Sequence, residues 1–235
     1  MRLTLVCALV LGLLAPVAAP AQECTWQAGW VKAENAKTGE KNWDSDVVMR
    51  FSADFSRRKE AKRVEGYFDQ TSIGCGQSAT LKIVGAKSAD VSLYRIGYYK
   101  GAGARLIQTI KSAKKITATQ STPPGQYLVK LKSPGYRSSF VPLVITGQVP
   151  SNVTFVSSVL TWQAYNQWGG ESLYKGADGQ RETRAISVSL DRPYDGDGSG
   201  QFRYMEQPLV QLMEQLNLDI NYLTDIDLDS APEIN

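Results

Sequence analysis

The sequence predicts an all-β sandwich of immunoglobulin type followed by part of an α/β layer. Three observations predict it. Between about Cys24 and Gly147, short runs rich in branched and aromatic residues recur at close spacing, divided by glycine- and proline-bearing breakers. Near Gly147–Ser151 (GQVPS) this rhythm stops. Beyond it, apolar strand-like runs alternate with a helical period, which is the pattern of an α/β layer.

The first residues stand outside that fold. Arg2 gives a short positive start, Leu3–Leu14 an apolar stretch, and Ala19, Pro20 and Ala21 a small–x–small cleavage pattern before Gln22. The apolar stretch is too short to span a bilayer, so residues 1–21 read as a signal peptide and the protein as exported, periplasmic or secreted. Cys7 leaves with that segment. In an oxidising compartment the remaining Cys24 and Cys75 favour one disulfide, with two unpaired thiols as the alternative. Residues 22–149 are then the sandwich and 150–235 the α/β portion.

Within the sandwich, Thr80–Val84 and Val91–Tyr99 read as strands. Lys100–Gly103 supplies a glycine-bearing turn, and Ala104–Ile110 returns as the partner strand. Thr122–Gly125 (TPPG) is a strong breaker. Gln126–Leu131 and Ser138–Ile145 are two more strands around Ser133, Pro134 and Gly135. The polar stretch Ala33–Arg63 is less legible and holds an early strand candidate at Val47–Phe51. In the α/β portion, Val153–Leu160, Ala185–Leu190 and Ile220–Leu223 read as strands. Glu206–Leu216 has helical spacing, with Pro208 in its first turn and Asn217 at its close. Asp225, Asp227 and Asp229 alternate, and an extended chain would put them on one face as a rim; a soluble exit loop is the commoner outcome. Three strands and one helix make a thin core, so this part reads as the front portion of a larger catalytic-type domain.

Composition narrows the chemistry. The chain has no histidine, which removes Ser-His-Asp triads, Cys-His dyads and His-ligated zinc. Without Arg2, 25 basic residues face 23 acidic ones, a balance that argues against nucleic acid as partner. The first site candidate is Thr161–Gly170 (TWQAYNQWGG), read as the loop leaving the carboxyl end of a buried strand, where α/β sheets bind ligands. Trp162 and Trp168 are either an apolar wall for a small substrate or seals of the core edge. In Tyr194–Gly200 (YDGDGSG) oxygen donors alternate as in calcium loops, with Glu206 at the twelfth position from Asp195. Gln201 and Arg203 occupy liganding slots, however, and a solvated loop is the better reading.

Four motifs in order, SLYRIGYYKGAGARLI (Ser92–Ile107), TWQAYNQWGG, SLDRPYDGDGSG (Ser189–Gly200) and YMEQPLVQLMEQLNLDINYLTDIDL (Tyr204–Leu228), resemble the large (beta) subunit of N,N-dimethylformamidase and its bacterial relatives. The resemblance implies a β-sandwich joined to a glutamine amidotransferase-like α/β domain. It also implies a single iron held by two tyrosines, matching Tyr165 and Tyr194, and by a glutamate in a later motif that this sequence does not contain. Glu206 is a substitute by proximity alone. Phenolate suits ferric iron, but a free tyrosine ionises only near pH 10, so a cation would have to depress that value strongly. Such an ion would polarise an amide carbonyl or supply a hydroxide. Three readings stay open: an exported amidohydrolase-like protein acting on C–N amide bonds, a non-catalytic secreted ligand- or glycan-binding protein, and an inactive, truncated family member. The expected partner is a small amide or other small-molecule ligand, with no membrane span after signal cleavage; oligomerisation and a small partner subunit stay open.

Overall fold

The computed structural model describes residues 24–47 and 62–230. The segment expected to be a signal peptide and nearly all of the strand candidate at Val47–Phe51 lie outside the described residues. The chain is mostly β-sheet with a few helices. After α1 (Trp30–Asn35) come β1 (Glu65–Phe68), β2 (Ser72–Ile73), β3 (Ser78–Val84) and β4 (Asp90–Ile96). They are followed by β5 (Ala104–Ile110), β6 (Lys115–Thr117), β7 (Gly125–Lys132) and β8 (Ser139–Ile145). Strands β1, β3 and β6 form one sheet, and the order β2-β8-β7-β4-β5 forms another.

The two sheets enclose a core of Phe68, Leu81 and Ile116 from one side and Leu93, Val129, Val141 and Leu143 from the other. The opposite face of the five-stranded sheet is covered too. Ile96, Leu128, Phe140 and Val144 pack there with Trp30, Trp43, Phe155, Val210 and Tyr222. Double coverage explains why β7 is buried from Gly125 to Leu131 without alternation: a strand covered on both faces has no solvent side to mark with polar residues.

The covering layer holds the second part of the chain. Strands β9 (Thr154–Ser157) and β10 (Asn221–Thr224) run parallel, with Thr154 opposite Asn221 and Ser157 opposite Thr224. Between them lie α2 (Val159–Tyr165), a π-helical turn over Phe202–Glu206 and α3 (Gln207–Gln215), and α4 (Asp225–Ser230) follows β10. Three expectations are corrected here. The strand predicted over Val153–Leu160 stops at Ser157, and TWQAY is helix rather than loop. Val159, Trp162 and Gln163 are its buried residues, an i, i+3, i+4 spacing that a strand could not bury on one side. Ala185–Leu190 forms no strand: it has no ladder partner among the described residues, and Ile186 is 98% exposed. Asp225–Asp229 is helical, not extended. Thr224 Oγ1 accepts from Asp227 N–H while Asp227 accepts from Thr224 N–H, a reciprocal cap that starts α4.

A buried polar network ties the layers. Arg95 in β4 meets Glu214 in α3 at 2.5 Å with both side chains fully buried. Tyr222 donates to the same carboxylate, and Arg95 also donates to Tyr99 Oη and Pro124 O. Tyr99 in turn donates to Glu34 of α1. Gly97 makes room for this: a Cβ there would lie 2.2 Å from Glu214 Oε2. A disulfide joins Cys24 to Cys75, as expected, with Cα atoms 5.5 Å apart.

Candidate functional site

Helix α2 ends at Tyr165, and its exposed last carbonyls need donors. Arg192, from the DRPY segment, supplies them. Its guanidinium donates to Gln163 O (2.9 Å) and Asn166 O (3.0 Å), and further to Trp168 O, Glu171 O and Gln163 Oε1. Burial lowers its pKa from the ordinary arginine value, while the nearby Asp195 charge opposes that. Asn166 locks the same two segments from the other side. Its amide donates to Pro193 O at 2.8 Å, and its oxygen accepts from the N–H groups of Trp168 and Asp195. Asp195 closes the circuit by accepting from Gln167 N–H at 2.9 Å. TWQAYNQW and DRPYD are therefore one hydrogen-bonded unit.

That unit forms a wall of a cleft of about 240 Å³ lined by Trp162, Tyr165, Gln167, Tyr174, Lys175 and Gln201, among others. Tyr165 is 47% exposed and stacks on Tyr174 with ring centroids 4.2 Å apart and planes 18° from parallel. Interaction with the neighbouring Tyr174 phenol raises the Tyr165 pKa. Tyr194 lies elsewhere. It is 7% exposed, packs edge-on against Trp162, and lines a smaller crevice against β8 with Val141, Leu143 and Gln163. Burial pushes its phenol well above the ordinary tyrosine range. A hydrogen bond with Gln163 opposes this, and the charges of Asp225 and Glu206 add to it.

The structure thus places Tyr165 and Tyr194 on different cavities, with Trp162 a wall of both. Tyr165 stands exposed in its stack on Tyr174 and Tyr194 is buried against Trp162, so the two phenols line different cavities that share Trp162. Trp168 lines neither cavity; its indole N–H donates to Glu65 of β1 at 3.0 Å and pins the loop to the first sheet. Trp162 donates to Glu206 Oε1 at 2.8 Å. Glu206 also accepts from Ser158 N–H, and its second oxygen has no hydrogen-bond partner among the described residues. Desolvation raises the Glu206 pKa, the two hydrogen bonds oppose it, and Asp225 adds to it. Among the described residues no three acidic or cysteine side chains gather as metal ligands.

The Gly-Asp segment is not a solvated loop. Asp197 and Ser199 are buried, Phe140 N–H donates to Asp197 O at 2.9 Å, and the Asp197 carboxylate is taken by Ser199 and Arg203. Gly198 sits against β8 with φ +87°, and a Cβ there would lie 2.2 Å from Phe140 O. Arg192, Asn166, Tyr174 and Lys175 were not singled out as site residues from the sequence. The arginine inside DRPY and the asparagine inside TWQAYN were the available signals.

Residues 111–235 match the model of the family described as N,N-dimethylformamidase beta subunit-like, C-terminal. No curated protein matches the chain. Among solved structures, a chimeric titin Z1Z2-Z1Z2 tandem functionalized with a GRGDS peptide from fibronectin aligns at 16% identity and a TM-score of 0.24. That alignment covers 38% of this chain and 52% of the titin chain. A likeness of that size carries no argument.

Proposed function

This chain belongs to the N,N-dimethylformamidase beta subunit-like family, and from that premise we propose that it is an exported amidohydrolase-like protein whose cleft beside α2 takes a small substrate with a C–N amide bond. The observation that carries the reading is the interlock of TWQAYNQW with DRPYD through Arg192 and Asn166 at the wall of that cleft. Two segments about thirty residues apart in the chain are held together by buried hydrogen bonds where a small ligand would sit. The cavity lies just under the usual ligand-site range of about 300–1,000 Å³, which favours a small ligand. We read the two sheets as a sandwich of immunoglobulin type. We read β9, β10 and their helices as part of an amidotransferase-like α/β layer. The export reading draws support from the disulfide, which suits an oxidising compartment.

Iron is the cofactor that the resemblance implies, with Tyr165 and Tyr194 as its donors; the two line different cavities, and no step is routed through it. What the chain's own residues supply is shape and polarity. Tyr165 and Tyr174 present a flat face, Gln167 and Gln201 stand on the lining, and Glu206 holds the indole N–H of Trp162. The test is amine release from a panel of small amides by the purified protein, together with its iron content. Turnover that disappears in Trp162→Ala and survives in Trp168→Phe supports the cleft. A protein free of iron and of turnover sinks the amidohydrolase reading.

The separation of Tyr165 from Tyr194 favours a second reading, a non-catalytic ligand- or glycan-binding protein using the same cleft. Quenching of tryptophan fluorescence by a ligand without turnover identifies it.

A further inference from the structure

Lys175 enters the cleft wall as its one lysine or arginine. It is exposed, and among the described residues its ammonium has no ion-pair or hydrogen-bond partner. The backbone beneath it is fixed, because Lys175 N–H donates to the hydroxyl of buried Ser172 and Ser172 N–H donates back to Lys175 O. The anchored backbone fixes the point on the cavity wall from which this side chain leaves. The acidic member of the wall, Asp195, accepts from Gln167 N–H on the side of the TWQAYNQW segment. The cleft therefore offers a flat aromatic face in the Tyr165–Tyr174 stack and side-chain amides in Gln167 and Gln201. Its one cationic side chain is Lys175.

We propose that the cleft selects small amides carrying a carboxylate, with the carboxylate on Lys175 and the flat part of the ligand on the Tyr165–Tyr174 stack. This rests on the cleft being the ligand site. It names the substrate class of that site: an N-acyl amino acid or a compound of like shape, rather than an uncharged amide. A half-exposed ion pair contributes modestly, so the selection is a matter of several-fold and falls with salt.

The test is calorimetric titration of the full chain with N-benzoylglycine and with its neutral carboxamide, at low and at high salt, for the wild type and Lys175→Gln. The expected result is binding of the acid about three- to tenfold tighter than the amide, a gap that narrows with salt and closes in Lys175→Gln. Equal wild-type affinity for the two compounds overturns the proposal while leaving the cleft as a ligand site. A preference for the acid that persists in Lys175→Gln overturns it in the same way. Binding of neither compound removes both the proposal and the cleft reading beneath it.

Discussion

Arg192 commits all three guanidinium nitrogens to acceptors around the end of α2. Lysine offers one nitrogen on a flexible stem and cannot reproduce that fork. Arg192→Lys should therefore cost roughly 2–4 kcal/mol, the loss of one or two charge-assisted bonds with their acceptors left buried, measured by urea unfolding. At Asp46, burial pushes the carboxyl up, but hydrogen bonds and charges from Lys130 and Lys132 outweigh it and hold it at about 2. An unfolded aspartate titrates near 3.9, so this contribution is whole above about pH 4 and is lost as pH falls through the folded value. Urea midpoints recorded from pH 5 to pH 2 should fall in the wild type and fall less steeply in Asp46→Asn, since Glu34, Asp69, Asp90 and Asp178 are lowered too. Glu206 carries the opposite sign: its pKa is raised, so its folded carboxyl keeps its proton longer and its contribution worsens as pH rises past the unfolded value. Aromatic character at Tyr165, Trp162 and Trp168 was plain in the sequence, but their roles were not. Side-chain direction changes when a presumed loop is a helix, and the same three rings then serve a cleft, a core edge and a pin to β1.

Helix α3 shows what periodicity can and cannot say. Leu209, Val210, Leu212, Met213 and Leu216 share a helical spacing, and the helix formed where that spacing put it. Yet the spacing did not reveal which edge of the stripe meets the core. Val210 is fully buried and Met213 packs against the core, while Leu209, Leu212 and Leu216 stay about half exposed. Val210→Ala should accordingly cost about 1–3 kcal/mol, whereas Leu212→Gln should stay within about 0.5 kcal/mol, both read from denaturant midpoints. A loss above 2 kcal/mol at Leu212 would mean that this face is covered in solution. The hairpin of β4 and β5 was legible to the residue at Ala104–Ile110, because its glycine-bearing turn fixes the register locally. Ala185–Leu190 was misread for the complementary reason. Alternation marks a segment that could pair, but a strand also needs a neighbouring edge, and that is a property of the tertiary fold.

At the scale of the molecule, the two parts read from the sequence share one core across the outer face of the five-stranded sheet. Nothing local announces this. Arg95 sits in a strand and Glu214 in a helix 119 residues later, and each alone looks like a surface charge. Their meeting point is fully buried, with Tyr99, Tyr222 and Pro124 O completing the hydrogen bonds. Such a pair contributes little net stability relative to an apolar replacement, because both charges were taken out of water. Removing one partner is different, since it strands the other charge. Arg95→Met and Glu214→Leu should each cost about 3–5 kcal/mol, and the double variant should cost clearly less than the sum of the two. If the network couples the layers, tryptophan fluorescence and far-UV circular dichroism should report a single unfolding transition in the wild type and separate midpoints in Arg95→Met. Coincident midpoints in that variant, with the single costs simply adding in the double, would show that apolar contact holds the layers together and that the ion pair serves only to neutralise itself.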